Sequence, residues 1–176
     1  FGASGDLANR KLFVSLFELY RRQLISDRFY CIGCGRKSMN DTEFRDQIRS
    51  NLAGRDSSMV DHFIERFFFL SGEYAKPDLY QAIHEKMRDC DHRFSVSGRH
   101  LFYLAVPLDL YETIASGLGR AGMSRPSDLP DPSAPILVVE KPFGRDLDSA
   151  ITLNSSLRRY FDESQIYRID HYLGKE

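Results

Sequence analysis

The segment Phe1-Gly2-Ala3-Ser4-Gly5-Asp6-Leu7-Ala8 has the residue types of a phosphate-binding turn. A G-x-x-G-x-x-A spacing suits a chain leaving a strand and entering a helix. Gly2 allows the tight exit, Gly5 lets backbone approach an anion, and Ala8 keeps helix and sheet close. The anion such a turn takes is a dinucleotide pyrophosphate, at the positive end of the helix. A second feature says which dinucleotide. An NAD site places Asp or Glu after the second strand, to accept from the ribose 2′-hydroxyl. Here that position holds Gly35-Arg36-Lys37-Ser38, with no acid before Asp41. A guanidinium and an ammonium suit a 2′-phosphate, so the residues predict NADP, with NAD as a weaker substitute.

Two further stretches carry ionisable groups where chemistry would need them. Glu140-Lys141-Pro142-Phe143-Gly144 follows the most β-branched run of the chain. A lysine at that strand end, braced by proline and glycine, can meet a substrate hydroxyl or phosphate. Arg168-Ile169-Asp170-His171-Tyr172-Leu173-Gly174-Lys175-Glu176 closes the sequence. His171, Tyr172 and Lys175 can each donate to an anion. Asp170 and His171 are neighbours on an extended chain and point to opposite faces, so each serves a different partner.

The elements that must hold these residues follow from hydrophobic period. Helices are expected over Asp6–Leu24, Asn40–Leu52 with an N-cap at Asn40-Asp41-Thr42-Glu43, Ser58–Arg66, Pro77–Arg88, Leu108–Leu118 and Asp146–Phe161. Strands are expected over Phe29–Cys34, Phe67–Leu70, His100–Val106, Pro135–Glu140 and Gln165–Ile169. Ser124–Pro135 holds four prolines and reads as a surface loop. Alternating strands and helices predict an α/β fold: a doubly wound, mostly parallel, Rossmann-like sheet with right-handed crossovers. Ligands of such sheets sit beyond the strands' carboxyl ends. The chain has no initiator Met and opens on the turn itself, so it reads as part of a longer protein, truncated in its first strand.

Composition sets the outer bounds. A length of 176 residues with 42% hydrophobic residues suits one globular domain. Twenty-four Lys and Arg against 25 Asp and Glu leave no basic field for a nucleic acid. No apolar run nears the roughly 20 residues that span a bilayer. Three cysteines make no disulfide framework, which favours a cytoplasmic setting. Cys31 and Cys34 have CxxC spacing, but on a strand their sulfurs face opposite sides and no second pair exists for zinc, so no metal is expected. Phe67-Phe68-Phe69 reads as a buried strand.

The glycine turn, Glu140-Lys141-Pro142-Phe143-Gly144 and the Asp170-His171-Tyr172 segment together resemble the glucose-6-phosphate dehydrogenase family, in matching order over the whole chain. The resemblance implies oxidation of C1 of D-glucose 6-phosphate to 6-phospho-D-glucono-1,5-lactone with hydride transfer to NADP, the first step of the oxidative pentose phosphate pathway. It implies that residues 1–176 form the N-terminal NADP-binding domain, without the C-terminal substrate and oligomerisation domain, of a homodimer or homotetramer. Gly2, Ala3, Ser4, Gly5, Asp6, Leu7, Lys11, Arg36, Glu73, Tyr74 and Tyr111 would serve the cofactor. Lys141 would touch both cofactor and glucose 6-phosphate, with a cis bond to Pro142. His171, Tyr172 and Lys175 would hold the sugar phosphate. Asp170 would orient a downstream catalytic histidine. None of His62, His84, His92 or His100 lies in a motif that matches that histidine: His62 and His84 fall in predicted helices and His92 in a predicted loop. A non-catalytic module that senses NADP(H) is the alternative these residues leave open.

Overall fold

The computed structural model describes residues 1–96, 99–124 and 133–169. Its elements run in chain order as β1 (Cys31–Gly35), β2 (Phe67–Ser71), β3 (Leu101–Leu104), β4 (Ile136–Glu140) and β5 (Ile166–Ile169), with six helices between and around them. These are α1 (Phe13–Arg21), α2 (Asp41–Asn51), α3 (Ser57–Ile64), α4 (Pro77–Phe94), α5 (Tyr111–Arg120) and α6 (Leu147–Leu157). Every strand pair is parallel, as crossover connections require. The strands pair in two groups, β1–β2 and β3–β4–β5. The chain correspondingly divides into two compact units.

One unit comprises Gly2–Glu73 and Gln81–Ser97. Its core is aromatic. Phe13, Phe17, Phe44, Phe63, Phe67 and Phe69 are all buried, together with Ile48, Leu52, Val60 and Ile64. Phe17 and Phe63 meet edge to face with centroids 5.3 Å apart, and Phe13 and Phe44 do so at 5.5 Å, a geometry that puts a positive ring edge on a negative face. Phe67-Phe68-Phe69 shows why a strand can be apolar throughout. Phe67 and Phe69 join that cluster, while Phe68 takes Phe94 of α4 on the other side at 6.1 Å. Helix α2 starts as its sequence predicts. Asn40 Oδ1 accepts from the Glu43 N–H at 2.9 Å and Glu43 Oε2 from the Asn40 N–H at 2.8 Å, a reciprocal capping box.

Several boundaries differ from the sequence reading. The first helix opens with a wide π turn over Ala8–Leu12, closed by a bond from Phe13 N–H to the Ala8 carbonyl. It ends at Arg21, where Gln23 turns left-handed at φ 56°. Strand β1 starts at Cys31, since Phe29 is occupied packing on Tyr20 and Phe63. Helix α4 runs past Arg88 to Phe94, because Cys90 and Phe94 continue the apolar stripe of Leu79, Ile83 and Met87. His92 is therefore on an exposed helix turn and not in a loop.

The other unit comprises Phe1, Tyr74–Tyr80 and Gly98–Glu176. Phe1 makes the bonds of a strand residue: its ammonium donates to the Tyr103 carbonyl at 2.8 Å, and its carbonyl accepts from the Ala105 N–H at 3.1 Å. Central strand β4 is registered with β3 through Val138↔Tyr103 and with β5 through Glu140↔Ile169. Gln165 is buried at the base of β5. Its Nε2 donates to the Ser124 and Pro135 carbonyls at 2.8 and 2.9 Å, so one amide fixes both flanks of the proline-rich segment. Helix α6 stops at Leu157, four residues short of its predicted end, and Phe161 is buried beyond it.

Candidate nucleotide site

In the first unit the glycine turn is built onto the end of β1. Gly2 has φ 78°, a left-handed conformation that a side chain would strain. The N–H groups of Gly2 and Ala3 both donate to the Cys34 carbonyl, at 2.9 and 3.1 Å. Gly5 N–H then donates to the Gly2 carbonyl at 2.9 Å and closes the turn. The first backbone bond of the helix runs from Asn9 N–H to the Gly5 carbonyl at 3.2 Å. The amides of Asp6 and Leu7 lie ahead of it, with the unsatisfied positive pole of a helix start. Asp6 pairs with Arg10 at 2.7 Å in open solvent. Lys11 projects, exposed, from the π turn.

The β1 end and the turn touch directly. A Cβ added to Gly35 would stand 3.0 Å from Ser4 Oγ, so glycine makes this approach an easy one. Arg36, Lys37 and Ser38 follow, all exposed. Gly72 N–H donates to the Gly35 carbonyl at 2.9 Å, bringing the end of β2 to the same edge. Glu73 is exposed just beyond. The predicted Gly2, Ala3, Ser4, Gly5, Asp6, Leu7 and Arg36 are thus neighbours at one carboxyl edge. Sequence reasoning missed the residue that ties the turn to its support. Asn9 Nδ2 donates to the Gly5 carbonyl at 2.7 Å, while its Oδ1 accepts from Gln47 Nε2 on α2 at 2.6 Å.

In the second unit Lys141 is exposed at the end of β4, and its bond to Pro142 is cis. The residue before it is held from two sides. Tyr103 donates a hydrogen bond to the Glu140 carboxylate. Tyr111 donates to the Glu140 carbonyl at 2.9 Å and accepts from its N–H at 3.2 Å. Burial raises the phenol pKa of both tyrosines, and for Tyr103 the carboxylate adds to the rise. Tyr111 is itself 2% exposed, so the hydroxyl predicted to serve a cofactor is spent on main chain. Tyr74 is buried, with its ring edge-on to Phe1 at 5.8 Å and its carbonyl accepting from the Tyr80 hydroxyl. Asp170, His171, Tyr172 and Lys175 lie outside the described residues. Neither CxxC cysteine is in a disulfide, and burial pushes their thiols up to about 12 at Cys31 and about 11 at Cys34. Among the described residues no three His, Cys, Asp or Glu side chains gather as a metal would need, and no helix is long and apolar enough to cross a membrane.

Parallel strands, alternating helices and a glycine turn seated on a strand end define a Rossmann-like, nucleotide-binding α/β protein. Comparison with known proteins narrows this. The chain belongs to the family described as the glucose-6-phosphate dehydrogenase NAD-binding domain, which matches residues 1–176. It is 35% identical over 176 residues to glucose-6-phosphate 1-dehydrogenase of Bacillus subtilis, covering 100% of this chain and 35% of that protein. It is 40% identical over 185 residues to the Arabidopsis thaliana protein named glucose-6-phosphate 1-dehydrogenase 6, cytoplasmic, covering 99% of this chain and 35% of the relative. A solved glucose-6-phosphate dehydrogenase in complex with its substrate glucose 6-phosphate superposes with a TM-score of 0.87 at 32% identity, over 100% of this chain and 36% of that one. The chain therefore spans about a third of the length of the curated relatives it matches.

Proposed function

We propose that the protein oxidises D-glucose 6-phosphate at C1 to 6-phospho-D-glucono-1,5-lactone, the entry reaction of the oxidative pentose phosphate pathway, and that NADP accepts the hydride. Residues 1–176 supply its NADP-binding domain in a cytoplasmic homodimer or homotetramer. Membership of the family and the names of the relatives support the reaction. The observation that carries the cofactor choice is Arg36. Its guanidinium stands exposed at the end of β1 with no ion pair among the described residues, where an NAD site needs a carboxylate.

The residues fit the group. Amides at a helix start, brought close by two glycines, match a pyrophosphate, and an unpaired Arg36 beside Lys37 matches a 2′-phosphate. Bound nicotinamide supplies the hydride acceptor. The rest falls to side chains of this protein. Ser4, Asp6 and Leu7 line the pyrophosphate turn, and Lys11, Glu73, Tyr74 and Tyr111 support the nucleotide. Tyr111 does so by fixing Glu140, and through it the main chain that carries Lys141. Lys141 binds the sugar with its ammonium and also meets the cofactor. His171, Tyr172 and Lys175 hold the sugar phosphate as three donors. Asp170 accepts from, and so orients, the imidazole of a downstream histidine, which takes the proton of the C1 hydroxyl.

Assay of the full-length protein with glucose 6-phosphate and either nucleotide tests the reading. Reduction of NADP that depends on glucose 6-phosphate, with NAD used less well, is the expected result. Absence of turnover on that sugar, or a clear preference for NAD, would overturn it.

A further inference from the structure

The segment from Arg36 to Met39 is a short bridge from β1 to α2, and its two ends are fixed by main chain and core. Gly35 is registered opposite Ser71 and accepts from Gly72 N–H at 2.9 Å. Met39 is buried in the aromatic core, and Asn40 starts the capping box. Asp41 Oδ1 then takes the Phe69 N–H at 2.7 Å, locking the first turn of α2 to β2. Between these anchors one side chain reaches the bridge. The hydroxyl of Ser71, last residue of β2, accepts from the Met39 N–H at 3.1 Å and donates to the Lys37 carbonyl at 3.0 Å, with the Met39 carbonyl a second acceptor at 3.3 Å. A single oxygen thus ties both sides of Ser38.

The side chains of Arg36 and Lys37 make no hydrogen bond or ion pair among the described residues. Among the described residues, only the backbone beneath them sets where their charges stand. A long cation on a loose loop pays ordering entropy on binding, whereas a pre-set loop has paid it in folding. We propose that Ser71 is a positioning residue for cofactor selection: its hydroxyl holds the Arg36–Lys37 bridge in the shape that receives a 2′-phosphate. This rests on the NADP reading given above, and it adds a residue that makes no contact with the nucleotide.

The test compares Ser71→Ala, Ser71→Thr and Arg36→Ala in the full-length protein, with 2′,5′-ADP and 5′-AMP as calorimetric probes and with kcat/KM for NADP and NAD. Ser71→Ala should weaken 2′,5′-ADP by about 3- to 10-fold, the worth of one or two neutral hydrogen bonds, and leave 5′-AMP nearly unchanged. The NADP-to-NAD ratio of kcat/KM should fall in parallel through KM, and Ser71→Thr, which keeps a hydroxyl, should restore both ratios. A general loss of folded protein moves both nucleotides together and leaves the ratios alone. Equal weakening of both probes by Ser71→Ala, or no weakening, would overturn the role of Ser71 while Arg36→Ala still discriminates between them. Failure of Arg36→Ala to discriminate would instead remove the 2′-phosphate reading itself.

Discussion

The hydroxyl of Tyr111 sits on the main chain of Glu140, donating to its carbonyl at 2.9 Å and accepting from its N–H at 3.2 Å. One buried phenol thereby satisfies two backbone groups at the residue immediately before Lys141 and its cis proline. With Tyr103 holding the carboxylate of the same residue, Glu140 is clamped by main chain and side chain at once. Lys141 inherits its position from that clamp.

Replacing Tyr111 with Phe keeps the ring and takes a partner from the half-buried Glu140 carbonyl and N–H. The expected cost is about 1–3 kcal/mol of stability, measured as a shift in urea midpoint. KM for glucose 6-phosphate should rise as well, because Lys141 loses its fixed base. A variant with wild-type stability and KM would show that the clamp does not position the lysine.

Alkaline pH should weaken the protein through its buried phenols. The pKa values of Tyr103 and Tyr111 are raised above their ordinary value, so the folded protein keeps protons the unfolded chain gives up. Their contribution is complete below the unfolded pKa of about 10 and is lost as pH rises through the folded values. Denaturation series from about pH 8 to 11 should show stability falling from about pH 8.5, as cysteines of the unfolded chain ionise, and more steeply above about 10, with a shallower fall above about 10 in Tyr103→Phe. An identical slope in the variant would rule out Tyr103 as a source.

The cysteines of β1 should be inert at neutral pH. Burial holds Cys31 at about 12 and Cys34 at about 11, so the thiolate that attacks alkylating agents is scarcely populated. Iodoacetamide treatment of native protein followed by mass spectrometry should leave both unmodified, while urea should expose them. Rapid labelling of the native state, or an isolated Cys31–Cys34 disulfide, would contradict this.

Asp170→Asn should lower kcat and leave NADP affinity near wild type, since the carboxylate is assigned to orienting an imidazole and not to the nucleotide. A variant with unchanged kcat would remove that role.

Much of the architecture was legible because it depends on local periods. Apolar runs such as Ile136–Val139 and the Asn40–Glu43 cap carry their instructions in adjacent residues. The glycine turn and the strand end that precedes Arg36 were legible for the same reason, since a turn and a strand end are local events. What the letters did not disclose depends on partners distant in sequence. Tyr111 looked like a cofactor residue, but its hydroxyl meets a backbone group 29 positions away. Ser71 falls just past the predicted strand Phe67–Leu70, yet it braces a bridge 34 positions upstream. Asn9 and Tyr103 were overlooked because their partners, Gln47 and Glu140, lie 38 and 37 positions away, and neither a polar run such as Asn9-Arg10-Lys11 nor a tyrosine in an apolar strand announces one. The extension of α4 was hidden by Arg88-Asp89, a charged pair on the exposed side of a stripe that Cys90 and Phe94 continue.

Arg36 carries the cofactor assignment. Steady-state kinetics of full-length Arg36→Ala with NADP and with NAD is the decisive measurement. Loss of a charge-assisted contact to the 2′-phosphate predicts that kcat/KM for NADP drops roughly 10- to 150-fold, corresponding to about 1.5–3 kcal/mol, while NAD is hardly affected. Equal losses with the two nucleotides, or none with either, would contradict the assignment of this strand end to cofactor selection.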